Sequence, residues 1–233
     1  MPDTSVPPVI LDDWLAVSTD GFASMNAGRP PQHLVKELLQ NSLDAIGAAK
    51  GEIHLEFLPA VAHGDCEGTI ITCRDDGCGI INLRDIRTIF LTSKTDSHLQ
   101  RGRMGRGFKE MLCLALSASV ESGSRKVEFI VEGGRRITRE SSAGNGDIVR
   151  GTLVTMHMPW PFITLDLADY FKTFLPPANV TVFVDGEHIE SREPAHIVDA
   201  TLPTELLEDG KWIRPQHRIS HWHLQPEYRL RFH

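Results

Sequence analysis

Glu37-Leu38-Leu39-Gln40-Asn41-Ser42-Leu43-Asp44-Ala45 is the stretch on which the reading of this chain turns. On a helix of 3.6 residues per turn, Glu37, Asn41 and Asp44 fall at i, i+4 and i+7 and share one face. Val35, Leu38, Leu39, Leu43 and Ile46 fall on the opposite side. One side can pack on a core while the other offers two carboxylates and an amide to a single cavity. Taken alone, the pattern is more commonly that of an amphipathic surface helix with a solvated polar face.

Working outward, Pro31 suits the first turn of this helix, which is expected over 31–49 and stopped by Lys50-Gly51. Upstream, residues 1–10 carry three prolines and suit an extended arm, followed by a helix over 11–26. Downstream, 53–58 alternates as a half-buried strand does, His63-Gly64-Asp65 makes a turn, and 69–73 is a second strand. A short helix over 83–90 and a polar, Gly-rich segment over 91–107 precede a buried helix over 108–116. Strands are expected over 120–121, 126–131, 137–140 and 152–158, then a helix over 165–174 and a strand over 180–184. Asp185-Gly186 turns that strand back to His188-Ile189. Beyond Pro194 strand signals are weak, and the alternation of Tyr228 to His233 suggests a longer protein cut within a strand.

Composition sets the outer limits. With 233 residues, 41% hydrophobic and 24% charged, the chain can bury a substantial globular core. A net charge of −7 argues against a globally basic nucleic-acid binder. The cysteines, Cys66, Cys73, Cys78 and Cys113, include no CxxC pair, which disfavours structural zinc and fits reduced thiols in a cytoplasmic protein. No signal peptide is read at the N-terminus, and no run approaches the ~18 apolar residues of a membrane span.

Two glycine motifs carry chemistry. Asp75-x-Gly77-x-Gly79 follows a strand, where glycines let the backbone approach a flat ligand and Asp75 can accept from an exocyclic amine such as adenine N6. Gly102-x-x-Gly105-x-Gly107-Phe108 opens a helix whose amides suit a polyphosphate. It is neither a Walker A loop, lacking Gly-Lys-Ser/Thr, nor a Rossmann fingerprint, lacking the preceding strand. Gly151-Thr152 before Leu153-Val154 is a third, weaker signal.

In this order, Glu37-x3-Asn41-x2-Asp44-Ala45, the DxGxG box, Thr92-Ser93-Lys94 with GxxGxGF, and Gly-Thr, the chain resembles the GHKL ATPase superfamily. That group joins DNA gyrase B, the large heat-shock chaperone, histidine kinases and MutL through the Bergerat ATP-binding fold. The resemblance spans residues 34–158 and implies an α+β two-layer sandwich: a mixed, mostly antiparallel sheet with helices on one face. It divides the chain into an ATP-binding domain over 1–160 and a sheet-completing or transducer-like extension over 161–233.

By resemblance, Glu37 would be the general base for the attacking water and Asn41 the Mg²⁺ ligand. Asp75 would bind adenine N6 with Gly77 and Gly79 allowing close approach, and Thr152 would support the base through a water. Amides from Gly102 and Gly105 to Phe108, including Arg106 and Gly107, would hold the phosphates, with Lys94 adding charge. Residues 91–107 would form a lid, and Asp44 a structural member of its box. The implied partners are ATP, a homodimer formed on ATP binding, and a DNA or protein client, with no membrane.

Histidine kinases usually carry Asn where Glu37 stands and need an upstream His-bearing domain, so a kinase is disfavoured. The boxes around Glu37, Asp76 and Thr92 look like MutL, whereas Gly102 to Phe108 looks more like the chaperone, MORC and topoisomerase VI B pattern. A clamp or scaffold gated by nucleotide, with negligible turnover, is the alternative to an ATPase. Three other features have bland readings. His217, His221 and His223 suit solvated strand positions better than a metal site, the cluster of Arg101, Arg103, Arg106 and Lys109 is accounted for by phosphates and solvent, and Cys78 suits a small packing residue.

Overall fold

In a computed structural model of the protein, the described residues are 18–62, 64, 67–82, 86–88, 106–142, 149–162 and 166–190, plus the backbone of four short strands between 200 and 219. The expected helix over 83–90 and lid over 91–107 thus lie largely outside the described residues, as do His221 and His223.

Two helices open the described chain: α1 (Thr19–Asn26), capped by the Ser18 hydroxyl on the Gly21 N–H, and α2 (Pro31–Ile46). Strands β1 (Gly51–Val61) and β2 (Glu67–Asp75) form an antiparallel pair. Helix α3 (Gly107–Leu114) leads to β3 (Ser117–Gly123), β4 (Arg125–Glu132), β5 (Arg135–Ser142) and β6 (Val149–Met158). Helix α4 (Leu167–Lys172), β7 (Val180–Val184) and β8 (Glu187–Ile189) follow. Further on, β9 (Ala200–Pro203) pairs with β12 (Gln216–Ile219), and β10 (Leu206–Glu208) with β11 (Lys211–Ile213).

Strands β1 to β8 make one sheet in the order β5-β4-β3-β6-β2-β1-β7-β8, antiparallel throughout except for the parallel pair β1 and β7. The fold is therefore α+β with a mixed, mostly antiparallel sheet, as expected from the sequence. The register explains how one face is covered. Val184, Leu55, Cys73, Val154, Val120 and Val127 stand opposite one another across six strands, and all are buried. Period-two alternation sends these side chains to the same face. Leu34, Val35, Leu38, Leu39, Leu43 and Ile46 of α2, Phe108 and Met111 of α3, and Phe171 of α4 close over them in one core.

Helix α2 ends three residues earlier than its apolar pattern suggests. Gly47 takes φ +61, donates its N–H to the Leu43 carbonyl, and terminates the helix before Ala49. The strand over 180–184 has the expected bounds, and the other expected strands are longer in the structure, because ladder pairing carries polar residues that the alternation alone leaves out. Cys78 is exposed and not a packing residue, since the loop docks through its backbone: the Cys78 N–H donates to the Ala45 carbonyl at 3.0 Å.

Because β7 supplies the parallel partner of β1, the sheet extends past residue 161. A chain ending at Pro161 would expose the β1 edge and remove Phe171 and Val182 from the core. Such a truncation should lose cooperative thermal unfolding or precipitate. An unchanged melting curve would mean that 162–190 adds nothing to the core.

Candidate functional site

Two residues beyond the apolar row, the same sheet face turns polar. Asp75 of β2 stands opposite Thr152 of β6, and Thr152 opposite Ser122 of β3. All three are at most 6% exposed. Buried polar groups persist only where hydrogen bonds replace water, and this row is bonded throughout.

The Ser42 hydroxyl of α2 donates to Asp75 Oδ2 at 2.9 Å, and the Gly77 N–H donates to Oδ1 at 3.0 Å. The Thr152 backbone N–H adds a third donor to the Asp75 carboxylate. Burial nevertheless dominates and raises the Asp75 pKa above the usual carboxylate value, the three donors working against it and the nearby Asp76 charge adding to it. A raised folded pKa means that the ionised form is the strained one. Its contribution to stability is fullest below the unfolded pKa and declines as pH rises through the folded value. A carboxylate has capacity for about four hydrogen bonds, so one more N–H donor fits and would relieve that strain. Burial likewise pushes the neighbouring Cys73 thiol up to about 12, with the Ser42 hydroxyl opposing and the Asp75 charge reinforcing, so it stays protonated.

The loop after Asp75 is clamped on both flanks. A Cβ on Gly77 would stand 2.6 Å from the Ala45 carbonyl carbon, so only glycine lets the loop lie against α2. Gly79 takes φ +73, and a Cβ there would stand 2.6 Å from Ser122 Oγ. The Ser122 hydroxyl donates to the Gly151 carbonyl at 2.9 Å and accepts the Ile80 N–H at 2.8 Å. Arg125 Nη2 donates to the carbonyls of Ile80 and Ile81 at 2.6 and 3.0 Å.

The second wall is the start of α3. Glu37, half-buried on α2, places its carboxylate against the Gly107 backbone, and a Cβ on Gly107 would overlap it. Gly107 is thus required for space. Asn41 and Asp44 follow on α2, both half-buried, and Arg106 precedes α3. Phe108 belongs to the core through its ring, so only its amide is available to a ligand. The structure therefore gathers Glu37, Asn41, Asp75, Gly77, Gly79, Arg106, Gly107, Phe108 and Thr152 around α2, the 75–81 loop and the α3 N-terminus. Lys94, Gly102 and Gly105 lie outside the described residues.

Ser42, Ser122 and Arg125 escape a sequence reading. Each acts through a register or a cross-element contact, and a serine on a helix or at a strand end carries no motif. Chemically, the site offers a buried acceptor set for an amine, a loop that two glycines let lie close against its neighbours, and amides with an arginine for an anion. These features fit an adenine nucleotide. Among the described residues, no three His, Cys, Asp or Glu side chains gather as a metal site. A single neutral oxygen such as that of Asn41 still suits Mg²⁺, which keeps several waters and takes phosphate oxygens. Among the described residues no helix is long and apolar enough to cross a membrane.

The family model for histidine kinase-, DNA gyrase B-, and HSP90-like ATPases matches residues 26–161, more than half of the chain. No curated protein matches it.

Gly151 tests how tightly the site is built. It takes φ +76, and a Cβ there would overlap the Asp75 carbonyl oxygen. Gly151→Ala should cost at least ~2 kcal/mol in urea unfolding, from backbone strain and displacement of β2. Wild-type stability would show that β6 and the Asp75 loop move independently.

Proposed function

Because the chain belongs to the histidine kinase-, DNA gyrase B-, and HSP90-like ATPase family, and its domain is an ATP-binding one, we propose that it hydrolyses ATP with Mg²⁺, with Glu37 activating the water. The observation that carries this reading is the Glu37 carboxylate packed against the start of α3. A carboxylate beside an anion-binding helix terminus is placed to take the proton of a water attacking a bound phosphate. A family member that passes phosphate to a protein has no need of that base.

The other roles follow from the same geometry. Asp75 accepts the adenine amine in the position left by Ser42, Gly77 and Thr152, while Gly77 and Gly79 let the base approach. The amides of Gly107 and Phe108, with Arg106, hold phosphate oxygens, and the family resemblance alone would add Lys94, Gly102 and Gly105 to that set. Mg²⁺, held in part by Asn41, would neutralise phosphate charge. Thr152 would support the base through a water. Hydrolysis would time a conformational cycle, through ATP-driven pairing of two copies, that acts on a DNA or protein client.

Two mutants separate binding from chemistry. Glu37→Ala should keep ATP affinity while turnover falls by a factor on the order of 10²–10⁴. Asn41→Ala should weaken Mg²⁺-ATP binding itself, since a metal ligand is lost. If Glu37→Ala hydrolyses ATP at the parental rate, a nucleotide-gated clamp with negligible intrinsic chemistry becomes the better account.

A pH titration addresses the base pocket. A protonated Asp75 offers one acceptor fewer, so ADP affinity should fall as pH drops through its raised pKa. Asp75→Asn should bind ADP weakly at every pH by calorimetry. A flat acidic profile in the parent, or full affinity in the variant, would leave Asp75 as a turn residue.

A further inference from the structure

Glu110 has no part in the roles above, yet it is among the most deeply buried charged groups of the described chain. It stands in the first turn of α3 at 4% exposure and receives two guanidinium groups. Arg29 comes from the turn between α1 and α2 and pairs with Oε2, while Arg106 Nη2 lies 2.7 Å from Oε1. The two arginine side chains are still 37% and 35% exposed.

One guanidinium can compensate a buried carboxylate through charge-assisted hydrogen bonds. The two arginines also stand in different places. Arg29 lies in the turn between α1 and α2, whereas Arg106 immediately precedes the amides of Gly107 and Phe108. The group nearest the anion-binding amides is therefore the one that the carboxylate can release. Without Arg29, that release would leave a buried charge uncompensated, which is costly.

We propose that Arg29, Glu110 and Arg106 form a hand-over for polyphosphate. Glu110 stores the Arg106 guanidinium beside the α3 N-terminus, Arg106 moves to the phosphates when nucleotide binds, and Arg29 stays behind as counter-ion. Glu110 and Arg29 are positioning residues here, acting through Arg106. The inference rests on the reading of Arg106 to Phe108 as a phosphate-binding segment.

The hand-over fixes the signs of the mutational effects, which a structural brace would not. Calorimetric titrations of the 233-residue chain with adenosine and with ADP, at low and at raised salt, measure them. In the parent, ADP should bind more tightly than adenosine. Glu110→Gln removes the charge that holds and competes for Arg106, so ADP should bind about two- to tenfold more tightly, with adenosine unchanged. Arg29→Met leaves Glu110 dependent on Arg106, so ADP should bind more weakly by a similar factor, again with adenosine unchanged. Arg29→Lys should recover most of that loss, and Arg29→Met with Glu110→Gln should behave as Glu110→Gln alone. Raised salt should shrink the differences.

Weakened binding of both ligands in both single variants would mean a brace and overturn the hand-over, as would an Arg29→Met variant with parental ADP affinity. A parent that gains nothing from phosphates would overturn the phosphate-binding reading and the hand-over together. A normal ADP gain with the wrong signs overturns the hand-over alone. Should Glu110→Gln fail to fold by circular dichroism, the Arg29 variants decide the matter, because that side chain is partly at the surface.

Discussion

A carboxylate buried among apolar strands is the constraint on which the site depends. Asp75 sits two residues beyond a row of valines, leucine and cysteine, where an uncompensated charge would be expelled by several kcal/mol or protonated. Three elements together hold it: α2 through Ser42, the following loop through Gly77, and β6 through Thr152. Helix, loop and strand must each be in register before the carboxylate is satisfied. The acceptor capacity left over is then directional and largely shielded from solvent, which is what recognition of an aromatic amine requires.

Close approach of backbone does the remaining work, and the glycines serve different ends. Gly77 and Gly107 supply space, the first against Ala45 and the second against the Glu37 carboxylate. Gly79 and Gly151 supply both space and a left-handed backbone, and the carbonyl of one and the neighbouring amide of the other meet at the Ser122 hydroxyl. A single serine thereby ties the nucleotide loop to the bulge where β3 leaves its register with β6, between Ser122 and Gly123. Glu37 and Asp75 lie at opposite ends of this arrangement, joined by the rigid body of α2. On the proposed reading, that rigidity would let one helix align a base pocket with a phosphate pocket.

Much of this is written in the sequence, where signals are local and periodic. The two faces of α2, the DxGxG turn, the glycines before α3 and the Asp185-Gly186 hairpin each declare themselves within a few residues. The α+β class follows from their order. What escapes is non-local. Ser42 reads as one polar residue on an apolar helix face, and only the sheet shows it facing Asp75. Arg29 and Glu110 are 81 positions apart, with nothing in either neighbourhood to pair them. Helix α2 stops at Ile46 because Gly47 adopts a left-handed conformation, a choice that the apolar pattern through Ala49 does not encode. The parallel pairing of β7 with β1 lies beyond the stretch matched by the family, and residue alternation is silent about strand order.

Base selectivity is the most direct test of the account. Asp75 is an acceptor, so it should favour adenine, whose exocyclic amine donates, over guanine, which presents a carbonyl oxygen at the corresponding position and would face the carboxylate with like charge. Equilibrium titration of the same chain with ATP and with GTP measures that preference. Saturable ATP binding with GTP at least tenfold weaker, about 1.4 kcal/mol, is the predicted result. Equal affinities, or no binding of ATP, would contradict it.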